Sequence, residues 1–198
     1  TGKVITAFAV EEWLCRRAGA AGKRTLAADE RGAGRMSSAA SGVRGLPLLY
    51  LWRHAGAFVL GLRDSKLPYA RAWMEAMEQS GQSTAVRHSG GAAVPLDAGV
   101  VNVALIMPKA VGELDFHDDF LYMYELIRDT VERLAPATLL PVEYGEISGS
   151  YCPGDFDISI GGRKFCGLAQ RRQTGAIIVQ AFLLVEGKGE DRVRRAVD

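Results

Sequence analysis

The stretch GSYCPGDFDISIGGRKFCGLAQRR, residues 149–172, contains the clearest strand and turn signals in the last third of the chain. Its middle alternates apolar and polar residues, which is typical of a β-strand. Gly161-Gly162 follows, and a second alternating segment returns from it, so the stretch predicts a tight hairpin. Upstream, Cys152 precedes Pro153-Gly154, a pair that favours a turn at the surface or beside a cleft. We therefore expect an accessible thiol.

Strict alternation in the returning arm predicts one face that carries Lys164, Cys166 and Leu168, and an opposite face that carries Arg163, Phe165 and Gly167. A sheltered lysine near a thiol favours the thiolate, the nucleophilic form, and its charge also stabilises a developing oxyanion. From the residues alone, a packed core thiol and a solvated lysine remain the alternatives. Cys166, on the same predicted face as Lys164, is a competing nucleophile.

The composition excludes several classes of protein. The chain has 198 residues, 48% hydrophobic and 24% charged, with a net charge of +1, so no global field attracts nucleic acid. The longest apolar segment, residues 176–185, contains Gln180 and is shorter than the roughly 20 residues of a membrane span. The three cysteines fit neither a disulfide framework nor a zinc site. Reduced thiols favour a cytoplasmic protein.

Apolar periodicity and turn residues predict a mixture of helices and strands. The predicted helices cover residues 5–20, 69–81 and 117–135. The predicted strands cover 46–54, 57–62, 83–89, 100–107, 142–147, 156–160, 163–172 and 176–185, with loops at 31–45 and 89–99. Helices combined with a strand meander indicate an α+β fold, and we expect one domain over residues 1–198.

The segment VRHSGGAAVPLDAGVVN, residues 86–102, contains a second signal. Gly90-Gly91 allows the backbone to approach a ligand closely. No Lys-Ser or Lys-Thr pair follows, and no third glycine opens a helix, so the segment is neither a P-loop nor a dinucleotide fingerprint. His, Asp and Glu residues do not show metal-ligand spacing, and we expect no metal and no cofactor.

Two motifs relate these segments to a known family. The pattern R-x-S-G-G-G-x-V-x-H-D-x-G-x-L-N is matched by Arg87, Ser89, Gly90, Gly91, Val94, Asp97, Gly99 and Asn102, with Ala92, Leu96 and Val101 as departures. The pattern D-[IL]-x-x-x-G-x-K-x-x-G-x-[AS]-Q is matched by Asp157, Ile158, Gly162, Lys164, Gly167, Ala169 and Gln170. In this order the two motifs resemble the lipoate–protein ligase/octanoyltransferase/biotin ligase superfamily.

The stretch SYCPG looks most like the branch that moves octanoyl groups between protein lysines. The resemblance implies that Cys152 carries an acyl thioester and that Lys164 assists it. It also implies a central mixed β-sheet flanked by helices, as in biotin/lipoate ligase catalytic domains. Apolar strand residues would line an acyl tunnel, with Val103, Leu105 and Leu168 as examples. The substrate-binding residues it implies are Arg87, Ser89, Gly90, Gly91, Asp97, Asn102, Gly167 and Gln170.

The implied donor is the octanoylated or lipoylated glycine cleavage H protein, and the implied acceptors are lipoyl domains of 2-oxo acid dehydrogenases. Three other functions remain open: transfer from octanoyl-acyl carrier protein, ATP-dependent lipoate ligation, and acyl or partner binding without turnover. Leu96, where the ligases have histidine, favours the transferases over the ligases. Members of the superfamily are usually longer, which is consistent with a missing C-terminal segment.

Overall fold

Gly161 and Gly162 form the turn of a β-hairpin. Both glycines have positive φ, 58° and 71°, as a two-residue hairpin turn of the favoured hand requires. They join strands Ile158–Ile160 and Arg163–Gln173, which pair antiparallel. The hairpin predicted at this position is confirmed.

The computed structural model describes residues 2–29, 46–109, 115–135, 140–150 and 152–197. The predicted loop at 31–45 lies outside the described residues. The helices are α1 Ile5–Asp29, α2 Ala70–Gln79, α3 Phe116–Leu134 and α4 Gly189–Val197. The strands are β1 Leu48–Trp52, β2 Gly56–Leu60, β3 Ser83–Val86, β4 Val94–Asp97, β5 Val100–Pro108, β6 Val142–Tyr144, β7 Ile158–Ile160, β8 Arg163–Gln173 and β9 Ala176–Leu184.

Six strands form the main sheet in the order β1-β5-β9-β8-β7-β6, and every neighbouring pair is antiparallel. Helix α3 covers one face, where Met123 and Ile127 pack among buried residues of β5, β8 and β9. Helix α1 covers the other face, where Cys15 packs beside Ala104 and Ile106. The sheet is therefore a layer between two helices, as the α+β class predicts.

A second sheet has three strands in the order β3-β2-β4. Strands β2 and β3 are parallel because α2 crosses between them, whereas β2 and β4 are antiparallel. The expected α+β architecture of sheet and flanking helices is confirmed. The resemblance also implied a mixed sheet, which contains both parallel and antiparallel pairs. The parallel pair, β2 with β3, lies in the three-stranded sheet, whereas the pairs of the six-stranded sheet are all antiparallel.

Local sequence explains how the helices begin and end. The Asp115 carboxylate accepts a hydrogen bond from the Asp118 amide and caps α3. After α2, Gly81 adopts φ 86°, which suits a chain leaving a helix. None of the helices in the described part of the chain combines the length and the apolar character that crossing a bilayer requires.

Candidate functional site

A β-bulge in β8 determines which side chains face the site. Ile158 pairs with Cys166 and Ser159 pairs with Lys164, so Phe165 is an extra residue between the two pairs. A Cβ on Gly167 would lie 3.6 Å from Lys164 Cε, which places Lys164 on the face of Gly167. The prediction that Lys164 and Cys166 share a face is wrong, because the extra residue reverses the alternation.

The side chain of Cys166 instead packs in the core beneath α3, with 1% exposure, in contact with the cluster that contains Ile158. Burial raises the pKa of its thiol, and the negative charge of Asp157 raises it further. Cys15 is also fully buried, and burial raises its pKa to about 11. Both thiols are thus shielded from solvent and held in the protonated form more strongly than a free cysteine.

Cys152 occupies the turn that precedes β7 and is half-buried. Its φ is 51°, and no other non-glycine residue in the described ranges has a positive φ. Such a conformation costs about 1–3 kcal/mol, so the surrounding contacts must hold it. The Sγ atom accepts a hydrogen bond from the Ala92 amide at 3.1 Å. The carbonyl oxygen accepts one from Lys164 Nζ at 2.6 Å.

Asp157 links the lysine to the cysteine turn. Its Oδ2 lies 2.7 Å from Lys164 Nζ and accepts a hydrogen bond from the Gly154 amide at 3.0 Å. Burial raises the pKa of this carboxyl, and Lys164 partly opposes that effect. Asp157 matches the second motif, but no role at the site was predicted for it. In the structure its carboxylate joins Lys164 to the turn that contains Cys152.

Residues 87–93, which follow β3, form the side of the site that faces the Cys152 turn. Arg87 is 2% exposed, and its guanidinium donates to the carbonyl oxygens of Gly90, at 2.7 Å, and Ala92, at 2.8 Å. Gly91 has φ 88°. A Cβ on Gly91 would lie 2.8 Å from Arg87 Nη2 and 3.6 Å from Cys152 Sγ. Glycine is therefore needed at this position for both its backbone conformation and its close contacts.

The predicted loop at 89–99 also contains strand β4, which pairs with β2. The Ala93 amide donates to Asp64 Oδ2 at 2.5 Å. Residues 89–93 are thus held from two sides, by Arg87 and by Asp64. This anchoring fixes the Ala92 amide in front of Cys152.

Between these two sides of the site lies a cleft of about 940 Å³. One wall is aromatic: Phe156 stacks on Phe120, with ring centroids 4.8 Å apart, and Phe116 and Phe165 also line the cleft. A thiol and an amine, those of Cys152 and Lys164, also line the cleft. An apolar cavity with a few convergent polar groups is suited to a hydrocarbon chain with a reactive carbonyl at one end.

The structure brings together most of the predicted site residues. Those that line the cleft are Cys152, Lys164, Arg87, Gly90, Gly91, Gly167 and Gln170. Ser89, Asp97 and Asn102 contact other groups: the Gln180 side chain, Arg192 with Arg195, and the Trp52 carbonyl respectively. Of the residues expected to line an acyl tunnel, Leu168 lines the cleft. Val103 and Leu105 pack in the core with α3.

A family model described as the lipoyl protein ligase A/B catalytic domain matches residues 3–197. The octanoyl-[GcvH]:protein N-octanoyltransferase of Lysinibacillus sphaericus (strain C3-41) is 39% identical over 146 residues, which cover 74% of this chain and 51% of that protein. The protein of the same name from Anoxybacillus flavithermus (strain DSM 21510 / WK1) is 43% identical over 149 residues, with the same coverages. The chain thus spans about half the length of these curated relatives.

Among solved structures, LipL1 of P. falciparum in complex with lipoate superposes with a TM-score of 0.59 at 16% identity. The match covers 95% of this chain and 46% of that one. At this identity the likeness concerns the fold alone.

Proposed function

The chain belongs to the lipoyl protein ligase A/B catalytic domain family, and on that basis we propose that it is an acyltransferase with a Cys152 thioester intermediate. The donor is an octanoyl or lipoyl group on a lysine of the glycine cleavage H protein, and the acceptor is a lysine of a lipoyl domain of a 2-oxo acid dehydrogenase. The names of relatives that are 37–43% identical support this donor and this reaction.

The observation that carries the proposal is the contact of Cys152 Sγ with the Ala92 amide at 3.1 Å, at the wall of an apolar cleft. The backbone N–H that donates to this sulfur holds it in a fixed position at the cleft wall, where a bound carbonyl group would meet it. Lys164 adds a positive charge and holds the cysteine turn through the Cys152 carbonyl oxygen. Together they make Cys152 the nucleophile of the cleft.

In the first half-reaction, the Cys152 thiolate attacks the carbonyl carbon of the donor amide. The oxyanion that forms is stabilised by the charge of Lys164. The C–N bond then breaks, the donor lysine leaves as an amine after taking up a proton, and the octanoyl group remains on sulfur. The apolar cleft holds the hydrocarbon chain during this step.

In the second half-reaction, the amine of the acceptor lysine attacks the thioester carbonyl. The C–S bond breaks, the thiolate is regenerated, and the acceptor amine loses a proton. One amide is exchanged for another, so no ATP is consumed. The intermediate divides a difficult amide exchange into two easier steps.

We propose that residues 1–198 contribute one catalytic domain and that the reaction takes place in the cytoplasm. A thioester intermediate needs a reduced cysteine, and the cytoplasm keeps thiols reduced. The partners follow from the two half-reactions, since each of two carrier proteins must bring its lysine to the same cleft in turn.

A comparison of donors tests the proposal. The protein is incubated with octanoylated H protein, with octanoyl-acyl carrier protein, or with octanoate and ATP, and its intact mass is measured. We expect a gain of one octanoyl group, labile to hydroxylamine, with octanoylated H protein. A gain with the acyl carrier protein alone would replace the donor, and octanoyl-adenylate formation from octanoate and ATP would replace the transferase by a ligase.

A further inference from the structure

A chain of buried polar side chains runs from α1 to the loop that faces Cys152. Glu11, on α1, is 3% exposed. Its Oε1 accepts a hydrogen bond from Trp52 Nε1 at 2.7 Å. Its Oε2 accepts one from Gln180 Nε2, on β9. The carboxyl is thus satisfied by two donors in a region that excludes water.

The chain of hydrogen bonds continues to residues 89–93. Ser89 Oγ donates to Gln180 Oε1 at 2.5 Å, and both side chains are buried. Three residues further on, the Ala92 amide donates to Cys152 Sγ. The hydrogen bonds therefore connect Glu11 to Ser89, and the backbone of residues 89–92 connects Ser89 to the amide that contacts the thiol.

Each step of this path has a defined direction. The Trp52 indole is a donor only, and a carboxylate only accepts, so Glu11 must receive hydrogen bonds from both neighbours. Gln180 therefore turns its NH₂ group toward Glu11 and its carbonyl oxygen toward Ser89. The Ser89 hydroxyl is left with the role of donor. An amide or an apolar residue at position 11 would not impose this order.

Burial raises the pKa of Glu11, although the hydrogen bonds from Trp52 and Gln180 oppose that effect. Burying a carboxylate is costly, and packing alone does not call for a charged group between a tryptophan and a glutamine. A buried carboxylate at this position is therefore explained by the hydrogen bonds that it accepts from Trp52 and Gln180, and not by the space that its side chain fills.

We propose that Glu11 is a positioning residue, which acts through Gln180 to fix Ser89 as a donor and thereby holds the Ala92 amide against Cys152 Sγ. The inference deepens the proposed function and rests on it for its meaning in catalysis. The inference predicts a change in the reactivity of the Cys152 thiol, which can be measured by alkylation without any acyl donor.

Two variants separate direction from packing. In Glu11→Gln, the new NH₂ group faces the NH₂ group of Gln180, so Gln180 must rotate and Ser89 becomes an acceptor. In the exchanged variant Glu11→Gln/Gln180→Glu, the amide oxygen of the new side chain at position 11 accepts from Trp52. Its NH₂ group donates to the new carboxylate at position 180, and Ser89 donates again. The exchange restores every hydrogen bond with the original direction at Ser89.

The readout is the rate of Cys152 alkylation by iodoacetamide against pH, followed by peptide mass spectrometry. Lys164, Asp157 and Arg87 are kept in every variant, and the exchanged variant moves the carboxylate from position 11 to position 180 without changing the net charge. In Glu11→Gln we expect the midpoint of the profile to rise, because the hydrogen bond from the Ala92 amide to the Cys152 sulfur is weakened. The exchanged variant should return to within about twofold of the wild-type rates.

Glu12→Gln is the matched control, because it makes the same change one residue further along α1, where Glu12 pairs with Arg171. It should leave the profile unchanged. An unchanged profile in Glu11→Gln, or an exchanged variant as impaired as Glu11→Gln, would overturn the inference. If Glu11→Gln does not fold, Ser89→Ala and the exchanged variant replace it, with a raised midpoint expected in the first and a wild-type midpoint in the second. Wild-type protein that alkylates normally but takes up no octanoyl group would contradict the proposed function instead.

Discussion

Cys152 combines an unfavourable backbone conformation with contacts that hold it in place. Its φ of 51° would relax if the turn were free, but Lys164 binds its carbonyl oxygen and the Ala92 amide binds its sulfur. Non-glycine residues with positive φ occur where the surrounding structure over-determines them, often at functional sites. The geometry thus supports the role that the SYCPG motif suggested for this residue.

The three cysteines should differ sharply in acylation. Cys152→Ala is expected to abolish the octanoyl mass gain, whereas Cys15→Ala and Cys166→Ala should retain it, because their thiols are buried with raised pKa values. Intact-mass measurement after incubation with octanoylated H protein decides the matter. Acylation of Cys152→Ala, together with its loss in Cys166→Ala, would identify Cys166 as the nucleophile.

Replacing Lys164 should affect both reactivity and stability. Lys164→Met removes the cation that holds the Cys152 turn through its carbonyl oxygen, so the midpoint of the Cys152 alkylation profile should rise. It also leaves the buried Asp157 carboxylate without its ion pair, which should cost about 2–3 kcal/mol of unfolding free energy. Urea unfolding and iodoacetamide kinetics measure the two effects.

The control for this change is Lys188→Met, which replaces an exposed lysine. We expect it to alter neither the unfolding free energy nor the alkylation profile. If Lys164→Met showed the wild-type midpoint, the lysine would act on the cysteine only through the carbonyl contact.

Among the single elements, the sequence pattern predicted the β7–β8 hairpin correctly, but it assigned the side chains of β8 to the wrong faces of the sheet. Gly161-Gly162 specifies a two-residue turn by local conformation alone, which a sequence displays. The bulge at Phe165 depends on pairing with β7 and has no signature in the local sequence. Strict alternation therefore placed Lys164 on the same face as Cys166, which is wrong. The contacts of Asp157 and Glu11 were not predicted for a related reason, since their partners lie in other elements.

The Gly90-Gly91 loop should not tolerate a side chain at Gly91. In Gly91→Val, the branched side chain meets Arg87 Nη2 and Cys152 Sγ, so we expect octanoyl transfer to fall at least about tenfold. Gly81→Val is the matched control, because Gly81 has a similar φ of 86° and open space around it. Both variants carry the same backbone strain, and thermal melts verify folding. Equal transfer rates in the two variants would refute a role of this loop in the site.

Helix α4 is attached to β4 by ion pairs that depend on pH. Asp97 accepts hydrogen bonds from Arg192, at 2.8 Å, and Arg195, at 2.6 Å. Burial raises the pKa of its carboxyl, but the bonds from Arg192 and the Gly99 amide outweigh that effect and lower it overall. The stabilisation is therefore present above the ordinary carboxyl pKa and is lost as the pH falls through the lowered value.

Asp97→Asn should cost about 1 kcal/mol at neutral pH and flatten the loss of stability in acid. Urea unfolding at a series of pH values measures both quantities. Asp129→Asn serves as the control, because the Asp129 carboxylate pairs with its neighbour Arg128 on an exposed face. A wild-type acid profile in Asp97→Asn would mean that the ion pairs contribute nothing to the attachment of α4.

At the scale of the whole molecule, composition and periodicity suffice for the α+β class but not for the division into two sheets. Strands β1 and β2 are separated by a short turn, yet they belong to different sheets. Strand β1 pairs with β5, and strand β2 pairs with β3 and β4. All of these partners come later in the chain, beyond the turn that joins β1 to β2. Long-range pairing of this kind is settled by burial across the entire chain, which local patterns do not report.

The overall reaction should run in both directions without ATP. In the proposed reaction the donor and the product are both acyl-lysine amides, and the donor amine released replaces the acceptor amine consumed, so the free energy changes little and the equilibrium constant should lie within about tenfold of one. Starting from octanoylated lipoyl domain and unmodified H protein, we expect octanoylated H protein to accumulate at a rate set by the same Cys152 thioester. Intact-mass measurement of both carrier proteins over time gives the two rates, and the Cys152→Ala protein is the control for uncatalysed exchange. If the forward transfer proceeds while the reverse remains at the level of this control, the exchange of equivalent amides is not the reaction that the cleft supports.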